Sequence, residues 1–429
     1  MKDRFAVING FRTPMGKMGG SLAKVKADFL GAYLVREIYT RYLDYDDYIS
    51  EVIIGNVSQP AHAANIARVI ALRAGIDKKV PAFTVHRNCA SGIEAITSAI
   101  CKIEAGRAEV VLVAGVESMS NIPLLFNDSM KEFLEQMMRA KNFTEKLQNL
   151  LKFRLSFLKP EIALKLGLTD PVCNLIMGMT AENLAQDFSI TREDQDKFAC
   201  DSHNKAEKAI KKSLLQEEII PFPLNDKKKN ILEIDEGIRY EQNLAALGKL
   251  KPFFDRKNGT VTAGNSSQIT DAAAASIIMS EARAKKQKIP ALGYVTDFIY
   301  NGLEPSHMGL GPAFAIADIL KRNKLTLKDI DLFEINEAFA AQVIACVKAL
   351  DSKDFCKKNL GLADKIGEIP DDKLNVNGGS IALGHPVGMT GMRLVIHALR
   401  ELKRRNKKRA IISLCIGGGQ GGALLLEAN

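Results

Sequence analysis

The chain has 429 residues, of which 46% are hydrophobic and 25% are charged, a composition typical of a globular protein with room for two or three domains. No apolar run approaches the roughly 18 residues that a membrane-spanning helix needs. The formal net charge is +9, yet the basic residues lie in short clusters such as Lys227 to Lys229, without interleaved aromatic residues and without any tryptophan. These clusters predict solvated loops and helix ends, and they argue against nucleic-acid binding.

The first residues and the cysteines predict a reducing environment. Asp3 stands where a signal peptide would be basic, and residues 4–8 have the composition of a first strand, so we expect the cytoplasm or an equivalent reducing compartment. The seven cysteines contain no C-x-x-C pair, which argues against a disulfide framework and against a zinc site. Five of them are expected to be small buried hydrophobic residues: Cys101, Cys173, Cys200, Cys346 and Cys356.

Two distant segments repeat one plan of extended run, turn, helix and apolar strand. The first spans residues 82–114 and has Cys89 in its turn, and the second spans residues 374–414 and has His385 in its turn. Strands that are apolar on both faces and alternate with helices indicate parallel sheets covered on both sides. The repetition predicts two similar halves that meet at a shared site.

The region between these segments has a different character. From residue 121 to residue 265 the strand pattern disappears, and helical stripes run through residues 130–138 and 147–158. We therefore predict an inserted, mainly helical loop domain. The predicted boundaries are 1–120 together with 268–290 for the N-terminal domain, 121–267 for the insert and 291–429 for the C-terminal domain.

Cys89 is the strongest nucleophile candidate. It lies between a predicted strand and a predicted helix, where backbone N–H groups and the helix dipole favour the thiolate. The small residues from Ala90 to Gly92 leave room for a substrate carbonyl.

His385 is held in a rigid turn, because Gly384 permits unusual backbone angles and Pro386 restricts the next φ. Such a histidine can activate a thiol or polarise a carbonyl group. The other five histidines lack this frame and are expected only to form local hydrogen bonds.

A second thiol and a glycine-rich turn complete the candidate site. Cys415 ends a buried strand, and Gly417 to Gly419 follow it with backbone N–H groups that can form an oxyanion hole. Asn336 and Glu337 follow another strand, and a neutral amide there can hold a water or an oxyanion. One Cys–His pair already suffices for thioester chemistry, so a second thiol suggests that a carbon atom gains or loses a proton.

Five stretches carry a resemblance to a known family: Asn88 to Gly92, Asn336 to Phe339, Gly378 to Pro386, Cys415 to Gly419, and Gly259 to Ser267. With them the chain resembles the thiolases, the 3-ketoacyl-CoA and acetoacetyl-CoA acyltransferases, from Arg12 to the last strand. The resemblance implies an α/β protein with the thiolase fold. That fold has two βαβαβαββ domains in five αβαβα layers, with an inserted loop domain.

The same resemblance implies roles for the candidate residues. Cys89 would be the acylated nucleophile, His385 would activate it, and Cys415 would exchange a proton with the α-carbon of acetyl-CoA. Asn336 would hold the water of one oxyanion hole together with His385, while the N–H groups of Cys89 and Gly417 would form the other.

Coenzyme A is implied as a co-substrate, with no tightly bound cofactor and no metal. Its contacts are implied at four positions: Arg239, Ser267, Ala263 and Met177. The sequence departs from the family pattern at Ala272, where glycine is usual, and at Ile176, where short-chain acetoacetyl-CoA thiolases carry histidine. The stretch from Asn127 to Leu166 is similar to the helical insert of trifunctional-type β-subunits, although those often carry histidine at the position of Asn336.

The leading hypothesis is a degradative 3-ketoacyl-CoA thiolase of fatty-acid β-oxidation. The alternative enzyme is an acetyl-CoA C-acetyltransferase that forms acetoacetyl-CoA, and an alternative of another class is a non-catalytic acyl-CoA-binding or scaffold subunit. A homodimer or a dimer of dimers is expected.

Residues 127–166 leave two interpretations open. The favoured one is a helical pair that packs its leucines on the loop domain and covers the acyl tunnel. In the other, a basic surface hairpin docks on a hydratase/dehydrogenase subunit or on an anionic membrane, since residues 137–165 contain seven basic and two acidic side chains.

Overall fold

A computed structural model describes residues 4–45, 48–224 and 230–429. Asp3 and the cluster from Lys227 to Lys229 lie outside the described residues. In those three ranges, no helix combines the length and the apolar character that crossing a bilayer requires.

The first part of the chain alternates strands with helices, as the sequence predicts. Its strands are β1 (Phe5–Arg12), β2 (Gly16–Lys17), β3 (Glu51–Gly55), β4 (Ala82–Val85) and β5 (Val110–Ser118). Its helices are α1 (Ala27–Leu43), α2 (Ile66–Arg73) and α3 (Ser91–Glu104), with a 3₁₀ turn at Ala61–Ala63.

The middle part is mainly helical, with only two-residue strands among its described residues. Its helices are α4 (Asp128–Arg139), α5 (Phe143–Leu150), α6 (Ala163–Gly167), α7 (Met177–Asp187), α8 (Arg192–Lys211) and α9 (Leu244–Gly248). Its strands are β6 (Leu124–Leu125), β7 (Glu161–Ile162), β8 (Phe222–Pro223) and β9 (Ile231–Leu232), and its 3₁₀ turns are Met119–Asn121, Leu155–Leu158 and Gln216–Glu218.

The last part returns to long strands. They are β10 (Thr270–Ser280), β11 (Gly293–Gly302), β12 (Leu332–Ile335), β13 (Arg409–Ile416) and β14 (Gln420–Glu427). The helices are α10 (Glu281–Lys286), α11 (Gly311–Asn323), α12 (Ala340–Asp351), α13 (Lys353–Asn359), α14 (Ser380–Leu383) and α15 (Thr390–Arg405), with 3₁₀ turns at Pro305–Leu310 and Leu327–Asp329.

The sheet has two halves of the same design. In the first half β4, β3 and β5 are parallel, and β10 and β1 follow as antiparallel strands. In the second half β12 and β13 are parallel, and β14 and β11 follow as antiparallel strands. The halves join where β1 pairs with β11, with Phe5 opposite Val295. The predicted parallel arrangement therefore holds among β3, β4 and β5 and between β12 and β13, whereas the pairings of β1, β10, β11 and β14 are antiparallel.

Three apolar clusters arrange these halves into five layers. The central cluster contains both α3 and α15 and receives side chains from both halves of the sheet. A second cluster packs α1 and α2 on the outer face of the first half, and a third packs α11 and α12 on the outer face of the second half. This order of helix, sheet, helix, sheet and helix confirms the predicted architecture.

The two central helices touch through glycines. A Cβ atom on Gly92 would lie 2.7 Å from the backbone nitrogen of Met392, and one on Gly391 would lie 2.9 Å from the backbone nitrogen of Ile93. Real Cβ contacts are not this short, so the approach requires glycine in both helices. Since α3 follows the turn of Cys89 and α15 follows the turn of His385, this contact brings the two turns together.

A buried ionic cluster attaches the middle part to the rest of the molecule. Arg12 of β1 donates to Glu218 at 2.7 Å and to both carboxylate oxygens of Asp235, at 2.7 and 2.9 Å. Glu218 also lies 3.0 Å from Nδ1 of His397 on α15. Because these side chains are buried, removing one partner would leave an uncompensated charge in the interior.

Residues 124–166 form a hairpin that packs on itself. Phe133 of α4 packs edge-to-face against Phe153 and at a tilt against Phe157, with ring centroids 5.3 and 6.0 Å apart, and the β6–β7 pair closes the base of the hairpin. The second predicted stripe is not one helix, because α5 ends at Leu150 and the chain turns back to bring Phe153 and Phe157 onto α4.

The favoured prediction, that the leucines of this hairpin pack on the loop domain, is wrong. The five leucines of the second stripe are all exposed: Leu147, Leu150, Leu151, Leu155 and Leu158. Met138 and Phe143 are also more than 80% exposed. The hairpin therefore presents a large apolar surface outward.

Candidate active site

Cys89 lies in the turn between β4 and α3, as predicted. Asn88 precedes it with a positive φ of 44°, a left-handed conformation that asparagine tolerates better than most residues. The hydroxyl of Ser91 accepts a hydrogen bond from the N–H of Arg87 at 2.9 Å and donates to the carbonyl of Asn88 at 2.7 Å. These bonds hold the nucleophile turn at the start of the buried helix.

The expectation that the helix terminus favours the Cys89 thiolate in the resting protein is wrong. Burial raises the pKa of Cys89 to about 11, although a hydrogen bond from the backbone of Gly417 lowers it, and the nearby Glu117 adds to the rise. Desolvation of the charged sulfur outweighs the backbone hydrogen bonds that favour the thiolate. The resting thiol is therefore protonated at neutral pH and needs a base.

His385 is that base candidate, and its hydrogen bonds define its tautomer. The hydroxyl of Thr390 donates to the carbonyl of Pro386 at 3.1 Å, so its oxygen accepts from Nδ1–H of His385 at 2.7 Å. Nε2 is then the free acceptor nitrogen. Burial lowers the pKa of His385 to about 3, with a smaller effect from Arg393, which keeps the imidazole neutral.

Asn336 faces this free nitrogen. Its Nδ2 lies 3.4 Å from Nε2 of His385, and the hydroxyl of Ser380 donates to its Oδ1 at 2.7 Å. The bond from Ser380 orients the amide, because it assigns the oxygen to one side and the NH₂ group to His385. Asn336 and His385 thus form a neutral buried pair that can hold a water or an oxyanion, as the resemblance implies.

Glu337 supports this pair, a role that sequence reasoning did not predict. Its buried carboxylate accepts from the hydroxyl of Ser202 at 2.7 Å and from the N–H of Ile381 at 3.2 Å. It thereby holds the short helix α14, which carries Ser380 and leads to His385. A carboxylate directly after Asn336 at the end of a buried strand was the available signal.

Cys415 lies fully buried, next to the last residue of β13. It belongs to an apolar cluster with Met308 and Phe339, against which Met177 packs. Burial raises the pKa of Cys415 well above its usual range, and the neighbouring thiols of Cys89 and Cys346 raise it further. A protonated thiol in this position is suited to deliver a proton to a carbanion.

The turn after Cys415 is a glycine hairpin between β13 and β14. Gly418 and Gly419 have φ angles of 87° and 76°, which glycine adopts without strain. Leu303 donates to the carbonyl of Gly419 at 2.8 Å, and Asn88 donates from Nδ2 to the carbonyl of Gly417 at 2.7 Å. The nucleophile turn and the predicted oxyanion turn are therefore in direct contact.

Glu117 joins the turn of His385 to the first half. Its buried carboxylate accepts from the N–H of Gly388 at 2.9 Å and from the N–H groups of Val57 and Ser58 at 3.1 and 3.0 Å. Sequence reasoning missed this residue, and the signal was a carboxylate inside the apolar strand β5. The structure thus brings Cys89, His385, Asn336, Cys415 and Gly417 into one region, with Cys415 at the end of β13 as predicted and the other four outside the regular strands and helices.

The four residues implied for coenzyme A binding lie in two different places. Ser267 donates its N–H to the carbonyl of Ala338 at 2.9 Å, beside Asn336, and Met177 lies against Gly417. Ala263 is exposed. Arg239 is also exposed, with its N–H donating to Nδ1 of His203 at 3.2 Å. Ser267 and Met177 border the catalytic turns, whereas the other two lie on the surface.

Among the remaining cysteines, Cys200, Cys346 and Cys356 are buried as expected, and Cys173 is half-buried. The prediction for Cys101 is wrong, because it is exposed. It lies on α3, next to residues that pack into the central cluster, but its own side chain points away from it.

Comparison with known proteins assigns the family. Residues 5–282 match the family model "Thiolase, N-terminal domain", and residues 289–428 match "Thiolase, C-terminal domain". The chain is 39% identical to the 3-ketoacyl-CoA thiolase of Photorhabdus laumondii, with 100% of this chain and 97% of that protein aligned. It is 38% identical to the mitochondrial trifunctional enzyme subunit beta of Rattus norvegicus, over 98% of this chain and 88% of that subunit.

A solved structure agrees with this assignment. The crystal structure of human mitochondrial 3-ketoacyl-CoA thiolase in complex with CoA superposes with a TM-score of 0.85 at 36% identity, covering 100% of this chain and 98% of that one. Sequence and fold agree. The chain belongs to the thiolase family.

Proposed function

We propose that this protein is a degradative 3-ketoacyl-CoA thiolase, which uses coenzyme A to cleave 3-ketoacyl-CoA into acetyl-CoA and a shortened acyl-CoA. The observation that carries the proposal is the oriented pair of Asn336 and His385, 3.4 Å apart, in the same site as Cys89 and Cys415. A nucleophile, a neutral base, an oxyanion site and a second thiol are the four groups that this reaction requires.

In the first half-reaction, the sulfur of Cys89 attacks the 3-keto carbon while its proton passes to Nε2 of His385. The pKa of Cys89 is raised to about 11, so the proton leaves as the carbon–sulfur bond forms rather than beforehand. The bond between C2 and C3 then breaks, and its electron pair goes to C2. The thiol of Cys415 gives C2 a proton, which yields acetyl-CoA and an acyl thioester on Cys89.

In the second half-reaction, the thiolate of Cys415 takes the proton of the coenzyme A thiol. The resulting sulfur attacks the acyl carbonyl, and Cys89 departs and recovers its proton from His385. All groups return to their starting protonation states. The oxyanions formed at the substrate carbonyls are held by the N–H groups of Cys89 and Gly417 and by a water between Asn336 and His385.

Coenzyme A is the proposed co-substrate, without a tightly bound cofactor. The human thiolase with bound CoA supports this assignment, as does the placement of Ser267 and Met177 beside the catalytic turns. Arg239 and Ala263 are proposed to contact the outer part of the coenzyme A molecule, because exposed residues can reach its phosphates.

The test is a thiolysis assay with purified protein and 3-ketoacyl-CoA substrates of increasing chain length. Turnover that continues beyond acetoacetyl-CoA supports the degradative role. Because the same groups catalyse the reverse condensation, turnover confined to acetoacetyl-CoA would favour the acetyltransferase instead. Absence of turnover, together with tight acyl-CoA binding, would favour a non-catalytic subunit.

We also propose a homodimer or a dimer of dimers in a cytoplasmic or equivalent reducing compartment. Strand β4 ends the sheet and pairs only with β3 among the described strands, so its outer edge is open to a second copy. The seven free cysteines, with two of them in the site, suit a reducing compartment. Light scattering after size-exclusion chromatography would measure the oligomer.

For the hairpin of residues 124–166 we propose docking on an anionic membrane surface. Its exposed apolar residues are accompanied by exposed Lys152, Arg154 and Lys159, and residues 137–165 have a net charge of +5. Apolar surface with a basic border fits the boundary between acyl chains and acidic headgroups.

Flotation with vesicles containing phosphatidylserine tests this docking. Replacing Lys152, Arg154 and Lys159 with glutamate should weaken binding in a salt-dependent way, while short-chain thiolysis survives. If the unmodified protein ignores such vesicles at low salt but binds a cognate hydratase/dehydrogenase subunit, the hairpin is a protein interface instead. The trifunctional relatives make that second outcome worth measuring in parallel.

A further inference from the structure

We infer that Asn88 and Asp170 are positioning residues that hold the peptide group between Gly417 and Gly418 from its two ends. By doing so they keep the oxyanion turn aligned with Cys89. The inference deepens the proposed function, since its catalytic consequence rests on thiolysis, but its structural core concerns only the geometry of the turn.

The first of these two contacts comes from Asn88, in the turn that carries Cys89. Its Nδ2 donates to the carbonyl oxygen of Gly417 at 2.7 Å, and the same amide lies 3.5 Å from the position of a Cβ built on Gly417. The positive φ of Asn88 directs the side chain across to the other half of the molecule. Arg87 adds a neighbouring contact, donating to Oε1 of Gln420 at 3.2 Å.

The second contact comes from Asp170, on the opposite side of this peptide group. Its buried carboxylate accepts from the N–H groups of Val172 and Cys173, at 2.8 and 3.0 Å. It also lies close enough to the backbone N–H of Gly418 for that N–H to lower the pKa of Asp170. The carbonyl of Gly417 and the N–H of Gly418 belong to one peptide plane. Asn88 therefore bonds one polar end of a single planar group, and Asp170 faces the other end.

The turn needs such support because its own residues provide little. Gly418 is exposed, and a Cβ built on it would meet no heavy atom within 4 Å, so no side-chain packing restrains it. Glycines at positive φ have wide conformational freedom. An oxyanion donor is effective only when its direction is established before charge develops.

The position of Asp170 also links the turn after Cys415 to the insert. Asp170 lies in the neck of the insert, where its N–H donates to Leu175 and the N–H of Met177 donates to Leu168, both at 2.8 Å. The neck of the hairpin proposed to dock on membranes thus reaches the catalytic turn through this carboxylate, beside Met177.

The test compares Asn88→Gly and Asp170→Asn with the unmodified enzyme. Asn88→Gly deletes the amide but keeps a residue that tolerates positive φ, and Asp170→Asn keeps the size of the side chain. Each should lower kcat for thiolysis about tenfold, because a misaligned donor weakens mainly the transition state, while KM for coenzyme A stays within twofold. The fold loss of kcat in the double variant should be smaller than the product of the two single losses, since both side chains hold one peptide group.

Hydrogen–deuterium exchange provides a readout that does not depend on turnover. The peptide covering residues 411–422 should exchange faster in both variants. Two matched controls should leave both measurements unchanged. Asn406→Gly replaces an exposed asparagine at a φ of 52°, and Asp194→Asn replaces a carboxylate that accepts a backbone N–H on α8.

The outcomes separate this inference from the proposed function. If the unmodified protein cleaves no 3-ketoacyl-CoA, the proposed function fails. The exchange experiment alone then decides whether Asn88 and Asp170 hold the turn after Cys415. If thiolysis is present but either single variant keeps kcat within twofold, the inference is overturned. Unchanged exchange, or a double variant whose loss equals the full product, overturns it as well.

Discussion

Replacing Asn336 with alanine tests the oxyanion site directly. The structure places its amide 3.4 Å from Nε2 of His385 with no exposure to solvent, so the group acts in a medium of low polarity. Removal of one oxyanion donor from such a site typically costs on the order of 10²-fold in kcat, which corresponds to about 2.7 kcal/mol of transition-state stabilisation. KM should change little, because the contact strengthens as charge develops.

The same substitution has a smaller cost in stability. Ser380 donates its hydroxyl to Oδ1 of Asn336 at 2.7 Å, and both residues are fully buried. Alanine leaves that hydroxyl without its acceptor, at a cost of about 1–3 kcal/mol. Thermal unfolding should therefore begin at a lower temperature, while the protein remains folded under assay conditions.

The assay is steady-state thiolysis at saturating coenzyme A, and Ser380→Ala is the matched control. That variant keeps the amide of Asn336 but removes the bond that orients it, so we expect a loss of about tenfold, smaller than that of Asn336→Ala. An Asn336→Ala enzyme with the unmodified kcat would refute the oxyanion assignment and leave the amide a purely structural role.

Three further predictions follow from the site and its buried histidines. Cys89→Ala should abolish turnover and the mass adduct that 3-ketoacyl-CoA leaves on the peptide containing Cys89; an adduct on Cys415 instead would reverse the assignment. Cys415→Ser should stop deuterium exchange into the methyl group of acetyl-CoA but retain part of the acylation, whereas His385→Ala should slow acylation itself. Burial, aided by the charges of Arg239 and Lys17, lowers the pKa of His203 to about 4, so the unfolded chain binds its proton first, and stability should fall as pH drops from about 6.5 to about 4. His203→Gln should make that decline shallower in thermal unfolding without abolishing it, because the buried His385, with its pKa lowered to about 3, contributes over the same range; an unchanged slope would exclude a contribution from His203.

The sequence predicted the elements that carry the chemistry with good accuracy. The strand, turn and helix around Cys89 lie where their periodicity indicates, and so do helix α15 after His385 and strand β13 with Cys415. These segments are predictable because each combines a local pattern with buried apolar faces, and both signals are present in the amino-acid order. The extended run predicted at 374–376 is only a single bridge from Leu374 to Phe333, and the short helix α14 precedes His385.

Other properties depended on tertiary contacts and could not be read from local pattern. The protonation of Cys89 is determined by burial between two halves of the molecule, which the helix-dipole argument does not include. The support from Glu117 and Glu337 arises from partners more than 40 residues away in sequence. The leucines of the hairpin repeat at helical spacing whether they face a core or face outward, so their exposure was not predictable from spacing alone.

The glycine contact between α3 and α15 has a consequence for how this enzyme can vary. A methyl group on Gly92 would have to displace the backbone of Met392, and the two helices would separate by a fraction of an ångström or more. Neither glycine has a proposed catalytic role, yet such a separation would move Cys89, the proposed nucleophile, away from His385, the proposed base. Substitutions that adapt the enzyme to new substrates are therefore easier around the edge of the site. The distance between α3 and α15, which pack across the pseudo-symmetry axis of the two halves, can change very little.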